Sequence, residues 1–323
     1  MLLTLLWIIG FITCLRLLHK LVQFVWYHFF RPLPNLRKNF ESDKWAVITG
    51  GSDGIGKEFA LELAKQGFSL VLLSRTESKL NDVKSEALER NPNIKVIVHP
   101  IDLSQSPLSI RDEIIGLLDP LEIGVLVNNV GLSIPACEFH LQNDRNNKLL
   151  SSLNIKIHLL MTKLMTSKWI KSNQQGYLIN LSSSSGIVGS PWISVYSGTK
   201  GWIDTWSRSL GSEFEHIQGA KKITVHSLQP SFVSTKMTGM RPSLLCPHPK
   251  VIPIDCFRQI QTHTSIAPYW IHALFNGFFR AFPQIGGWFM NKEMKKLLIR
   301  VKRYQKKQLE KQKQLENHNQ EKN

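Results

Sequence analysis

Cysteine and acid are both scarce in this chain. The four cysteines, Cys14, Cys137, Cys246 and Cys256, are scattered through 323 residues without CxxC or histidine spacing. That excludes a disulfide framework and a thiolate metal site, so no metal is expected, and it points to a reducing compartment for the main domain. Asp and Glu number 24 against 40 Lys and Arg, for a formal charge of +16. Much of the excess is local: from Asn291 onward eleven Lys or Arg stand against four Glu. These cations lack interleaved aromatics and any recognised nucleic-acid module, so nucleic acid is not an expected partner. A basic tail suits a solvated helix or an anionic lipid surface, and the apolar segments elsewhere favour lipid. No internal repeat is visible. With 42% hydrophobic residues the chain can fill one large domain of about 250 residues, with appendages.

The N-terminus has an absence of its own. No basic segment precedes the apolar run Met1 to Leu15 and no small-residue cleavage site follows it, which disfavours a cleaved signal peptide. After Arg16, His19 and Lys20 the apolar character resumes from Leu21 to Phe30. Such a stretch, with snorkelling cations, suffices for one tilted helix or a hairpin-like anchor. Arg16, Lys20, Arg31, Arg37 and Lys38 all follow the first run, so the positive-inside rule places the following domain in the cytosol. Residues 1–30 are read as a membrane anchor and residues 31–43, opening Arg31-Pro32-Leu33-Pro34-Asn35, as a linker.

Residues 44–240 alternate short β-branched runs with amphipathic stretches. Strands are expected at Trp45–Thr49, Ser69–Ser74, Ile94–Val98, Gly124–Val127, Tyr177–Leu181 and Ile223–Leu228. This pattern predicts an α/β fold with a doubly wound parallel sheet, its ligand at the carboxyl ends of the strands. The first strand runs into Gly50-Gly51-Ser52-Asp53-Gly54-Ile55-Gly56, followed by a helical pattern to Gln66. A glycine cluster alone is a common loop. Between a strand and a helix N-terminus it can cradle a pyrophosphate, because glycines let the backbone approach and free N–H groups point at the charge.

The second strand ends in Ser74-Arg75 with no acid at its tip. An acid there would bond the adenosine ribose and repel a 2′-phosphate, whereas Arg75 would attract one, so NADP(H) is expected rather than NAD(H). Asp102 is a candidate for the adenine amino group. The turn Asn128-Asn129-Val130-Gly131 is a candidate flank of the adenosine, and the loop Pro230-Ser231-Phe232-Val233-Ser234-Thr235 is placed near the nicotinamide. All are also good turn formers that need no ligand.

The segment Tyr196-Ser197-Gly198-Thr199-Lys200 carries the chemistry. In a helix Tyr196 and Lys200 share one face, so an ammonium can lie below a phenol. A phenol has a pKa of about 10, and a fixed cation lowers it, which would make Tyr196 a general acid. Ser183, thirteen residues earlier at the end of a predicted strand, could hold a carbonyl oxygen beside that phenol. The same Tyr–Lys spacing also occurs on ordinary solvated helix faces, so it gains meaning from the other motifs. In the helical pattern Leu149 to Ile170, Asn154 and His158 are polar positions on a mostly apolar helix, as packing residues often are.

Thr49-Gly50-x-x-x-Gly54-x-Gly56, Asn128-Asn129-x-Gly131, Ser183, Tyr196-x-x-x-Lys200 and Pro230 together resemble the short-chain dehydrogenase/reductase family, in order and at family spacing, over roughly residues 44–240. Within it the chain is similar to the membrane-bound branch of 17-beta-hydroxysteroid dehydrogenases and very-long-chain 3-oxoacyl-CoA reductases. The resemblance implies a Rossmann fold and metal-free hydride transfer. It implies that Tyr196 is the acid in carbonyl reduction, that Lys200 lowers its pKa and holds the nicotinamide ribose, that Ser183 orients the carbonyl, and that Asn154 supports a water-linked proton relay. It suggests a homodimer through the long helices and an endoplasmic reticulum location, although Asn319-Gln-Glu-Lys-Asn323 lacks the dilysine signal of some members.

Residues 241–290 are less regular. Tyr269 to Phe279 is bulky and apolar, and Pro283 with Gly286-Gly287 is expected to break it before Trp288-Phe-Met290. This segment reads as a substrate lid that is either an extra core helix or an interfacial helix, with Lys292, Lys295, Lys296 and Arg300 at lipid headgroups. Residues 291–323 read as a basic tail. The expected function is reduction of a ketone on a lipophilic substrate, a 3-oxoacyl-CoA or a 17-ketosteroid. The alternative is a catalytically silent, membrane-docked binding protein.

Overall fold

The computed structural model describes residues 1–320; residues 321–323 of the basic tail lie outside the described residues, and with them the end of the segment expected to lack a dilysine signal. Seven parallel strands form one sheet in the order β3-β2-β1-β4-β5-β6-β7. They are β1 Trp45–Thr49, β2 Ser69–Ser74, β3 Val96–Pro100, β4 Ile123–Asn128, β5 Gly176–Leu181, β6 Ile223–Leu228 and β7 Ser265–Ile266. Six match the expected strands, with β3 two residues later than Ile94–Val98. The seventh is a two-residue edge on β6, too short to leave a periodic signal.

Helices α2 Gly54–Gln66 and α3 Glu77–Arg90 cover one face of the sheet. The other face carries α4 Pro107–Leu118, α6 Ile157–Lys171 and the end of α8 Ser194–Phe214. Because successive strand side chains point to opposite faces, Ala46, Ile48, Leu70 and Leu72 pack into the first core and Val47, Val71 and Leu126 into the second. Both faces are therefore apolar, and the strands read as continuous hydrophobic runs. Each fully buried Leu or Phe contributes about 1.5–3 kcal/mol.

The sheet order reverses between β1 and β4, where Thr49 pairs with Asn128, which in turn pairs with Asn180 of β5. The carboxyl ends of these strands lie level and open a crevice at the switch point.

The first helix, α1 Leu2–Val25, continues through a π-helical turn, Trp26–Phe30, as a single 29-residue helix and not a hairpin. At about 1.5 Å per residue it is about 43 Å long, enough to cross about 30 Å of hydrocarbon. Its side chains are exposed over the first turns, but its end is docked. Phe29 meets Trp270 at 5.9 Å between ring centroids, and Arg258 Nη1 donates to the His28 carbonyl at 3.5 Å. The stretch 31–43 is packed rather than free, since Leu36 and Phe40 enter the core and the Leu36 amide donates to Gln66 Oε1 at 2.8 Å.

The expected helix Leu149–Ile170 is three pieces: α5 Asp144–Ser151, a π-helical turn Ser152–Lys156, and α6. Following the short α7 Ser185–Val188 and then α8 and α9 Val251–Arg258, two helices complete the described residues, α10 Trp270–Ala281 and α11 Pro283–Gln320. The expected break at Gly286-Gly287 is absent. Pro283 starts α11, where a missing N–H is tolerated. A Cβ on Gly286 would come within 2.9 Å of Phe279 Cδ1, so glycine here serves the close crossing of α10 and α11.

Candidate active site

The crevice at the strand ends is a cleft of about 680 Å³. The β1 turn folds as it does because Gly50 and Gly54 take left-handed backbone angles, φ +67° and +56°. Thr49 Oγ1 accepts hydrogen bonds from the amides of Asn129 (3.0 Å) and Val130 (3.1 Å), while Asn129 Nδ2 donates to the carbonyls of Thr49 and Gly50. A Cβ on Gly56 would sit 2.4 Å from Asn129 Nδ2 and from the Gly50 carbonyl, so only glycine lets the first turn of α2 approach this knot. The first residues of α2, Gly54 and Ile55, border a space also bounded by Ser74, Arg75, Asp102 and Asn129, and the first turn of a helix has amide donors without intrahelical partners. These residues fit a dinucleotide: a glycine-lined cradle for the pyrophosphate and a cation at the tip of β2.

Asp53 caps α2, accepting from the Gly54 amide at 2.8 Å, and pairs with Lys236 at 2.7 Å. Burial alone would raise its carboxyl, but these partners hold it below the usual range. Asp102 behaves likewise: burial raises it, and hydrogen bonds from Ser104 with the charge of Arg75 outweigh that. Gly50, Asp53, Gly54, Ile55, Ser74, Arg75, Asp102, Asn129, Pro230 and Val233 all line the cleft, together with Ser183, Tyr196 and Lys200. Ser52 and Gly56 do not. Ser52 faces an adjoining polar hollow that Lys79 also lines, its Oγ 2.9 Å from that of Ser74, and Gly56 lies behind the turn.

Tyr196 and Lys200 lie in the first two turns of α8. Lys200 Nζ is 5.7 Å from the centre of the Tyr196 ring and donates to the Leu181 carbonyl at 2.6 Å. Burial brings Lys200 down to about 8. Burial raises Tyr196 above its ordinary value, and a hydrogen bond with Ser183 works against that rise. The phenol therefore keeps its proton at neutral pH. Ser183 is oriented by its neighbours. Its Oγ accepts from the Ser185 amide (3.2 Å) and from the Ser185 hydroxyl (3.0 Å), which fills its acceptor sites and leaves its own O–H to donate.

Asn154 sits in the π-helical turn, fully buried, beside and not within the cleft lining. Its Oδ1 accepts from the Leu132 amide at 2.8 Å, and its Nδ2 donates to the Leu132 carbonyl and to Thr199 Oγ1, each at 3.0 Å. It thereby ties the turn after β4 to the helix that carries Lys200. His158, one turn on, bonds the Asn128 carbonyl at 3.1 Å; burial, with Lys200 nearby, holds it neutral at about 3.

Beyond Met290, the last residue of the segment read as a substrate lid, the opposite wall was not foreseen. Met290, Met294, Leu297 and Val301 of α11 line the cleft, with the exposed Arg300 beside Val301, so the segment read as a basic tail begins as part of the site. Their spacing of four, three and four residues was a readable helical stripe, hidden among lysines.

A dinucleotide cradle opening onto an acidic phenol, a hydroxyl donor and a lysine defines a nicotinamide-dependent oxidoreductase acting on a carbonyl or alcohol. The family model described as short chain dehydrogenase matches residues 44–243, and the chain belongs to that family. It is 40% identical over 211 residues to very-long-chain 3-oxoacyl-CoA reductase-A of Danio rerio, spanning 64% of each chain. It is 37% identical over 235 residues to the very-long-chain 3-oxoacyl-CoA reductase of Homo sapiens, spanning 72% of this chain and 73% of that one. In fold it resembles a short-chain dehydrogenase from Sphingobium yanoikuyae in complex with NADPH, with a TM-score of 0.57 and 23% identity over 64% of this chain and 80% of the other.

Proposed function

We propose that this chain is a membrane-anchored, NADPH-dependent reductase of the 3-keto group of very-long-chain acyl-CoA thioesters. The observation that carries the reading is a single cleft in which Ser183, Tyr196 and Lys200 lie between a glycine cradle and the apolar wall of α11. Arg75 at the tip of β2 and the NADPH bound by the Sphingobium protein support NADP(H). The names of the relatives support the acyl-CoA over a 17-ketosteroid.

The bound cofactor supplies the hydride. The chain manages the oxygen. Ser183 donates to the carbonyl, and Tyr196, protonated at neutral pH, releases its proton to the oxygen as charge develops. The Lys200 ammonium beneath the ring then faces a phenolate, an interaction worth most at that moment. Asn154 positions Thr199 and the Leu132 turn, and the family resemblance supports a proton relay through it.

The anchor helix, the cations after it and the likeness to its relatives support an endoplasmic reticulum membrane with the catalytic domain on the cytosolic side. The exposed stripe formed by Leu274 and Phe278 of α10, Phe282 just after it, and Ile285 and Trp288 of α11 begins beside the docked end of α1 and supports an interfacial role for α10. Lys292, 5.4 Å above the Trp288 ring, suits the headgroup level. The long helices and the family resemblance support a homodimer. The silent-scaffold reading is weaker, because a scaffold has no need of a complete Ser183, Tyr196 and Lys200 set.

The deciding assay incubates detergent-solubilised protein with NADPH or NADH and either a long-chain 3-oxoacyl-CoA or a 17-ketosteroid. Loss of NADPH absorbance with the thioester, abolished in Tyr196→Phe, is the expected result. Turnover of the steroid alone would move the enzyme to steroid metabolism, and no turnover of either would leave the scaffold.

A further inference from the structure

Among the described residues four cations line the cleft, and two are bonded within the protein, Lys200 to the Leu181 carbonyl and Lys236 to Asp53. Arg75 makes no such bond, but it stands at the tip of β2, where its charge acts on Asp102 and the cofactor reading already assigns it. Arg300 has neither a bond nor a place in the cofactor site. It is exposed on α11, one turn beyond Leu297, and makes no hydrogen bond or ion pair among the described residues. The other side chains that α11 presents to the cleft, Met290, Met294, Leu297 and Val301, are all apolar.

A free guanidinium at the rim of an apolar channel does nothing for a neutral lipid, which gains from the wall alone. It suits a substrate with an apolar part and a separate phosphate-bearing part, because the planar fork bonds phosphate oxygens bidentately. We propose that Arg300 is a specificity-determining residue that reads the phosphates of the CoA carrier, so that the cleft prefers an acyl-CoA to the same acyl chain on a neutral carrier. This rests on the thioester reading above and names the part of the substrate that the rim of α11 recognises. The reacting carbonyl lies at Ser183 and Tyr196; from it the acyl chain and the thioester-linked pantetheine arm run in opposite directions, the chain against the methionines and the arm past Leu297 to bring the diphosphate to Arg300.

The test uses the full chain at saturating NADPH and two substrates with the same 3-oxoacyl chain, one the CoA thioester and the other the N-acetylcysteamine thioester, which has no phosphate. Wild type is expected to favour the CoA form, by a margin that shrinks with ionic strength. Arg300→Glu should lower kcat/KM for the CoA form by about 10- to 100-fold, mainly through KM, and leave the phosphate-free form within about twofold. Arg300→Lys should retain part of the preference. Unchanged melting of each variant confirms an intact fold. If wild type reduces both thioesters and Arg300→Glu slows both equally or neither, the role of Arg300 is overturned while the reductase reading stands. If wild type reduces neither thioester, the thioester reading itself fails and takes this inference with it.

Discussion

The wall of the cleft made by strand ends and the wall made by α11 hold their shapes by different means. On the first, Thr49, Asn129 and Asn154 fix backbone and side chains through hydrogen bonds of 2.8–3.1 Å that cross between β1, β4 and α8. On the second, Met290, Met294, Leu297 and Val301 offer no directional bond to the cleft. Directional bonds fix heteroatoms within tenths of an ångström, as proton transfer requires. Methionine and leucine offer polarisable surface that accommodates chains of differing length. The difference teaches that this site separates chemistry from selection: one wall must not move, and the other gains by yielding.

The largest effect expected lies on the rigid wall. Tyr196→Phe removes the proton donor and should cut steady-state reduction about 10²- to 10⁴-fold with an unchanged melting temperature. A loss under about tenfold would mean that another group delivers the proton. Next is Gly56→Ala, whose added carbon would sit 2.4 Å from Asn129 Nδ2 and the Gly50 carbonyl. It should cost about 1–3 kcal/mol in denaturant unfolding and weaken NADPH binding measured by fluorescence titration. Wild-type values for both would show that the Asn129 knot yields and would erase the contrast between the walls.

How much of this was legible in the sequence divides along the same line. The glycine turn, Ser183 and the Tyr196–Lys200 pair could be read because directional chemistry demands particular residues at fixed spacing. Six strands were legible as apolar runs; β7 was not, since two residues carry no period. The π-helical turn at Asn154 was invisible because the apolar pattern runs on across it. The upward push of burial on the Tyr196 phenol was not legible, because it depends on how the fold encloses the ring. On α11 the stripe of Met290 and Met294 was masked by lysines, and Gly286 was read as a break when its role is a close crossing with Phe279.

Met294→Leu sharpens the comparison from the yielding side. A volume-conserving exchange should change stability by less than about 1.5 kcal/mol and leave Tyr196-dependent turnover intact. It should shift the preferred acyl length in a chain-length series, and an unaltered profile would take selection away from this wall.

The smallest effect is a pH slope. Burial holds Lys200 at about 8, below its ordinary 10.5, so the unfolded chain binds more protons than the folded one between those values. This group therefore costs stability below about pH 8, and that cost is relieved as pH rises from 8 toward 10.5. Melting temperatures of wild type minus Lys200→Met should climb from pH 7.5 to 9.5. A flat difference would place the ammonium in water and loosen the rigid wall at its centre.

One consequence of α11 is mechanical. It is a single helix of 38 residues, about 57 Å long at about 1.5 Å per residue. Its inner turns form a side of the cleft, and its outer turns carry the exposed Lys306, Lys307 and Lys311. A rod held near one end behaves as a lever: whatever grips the outer arm acts on the aperture at the inner one, so a small swing of the distal lysines changes the width available to a substrate without touching Tyr196.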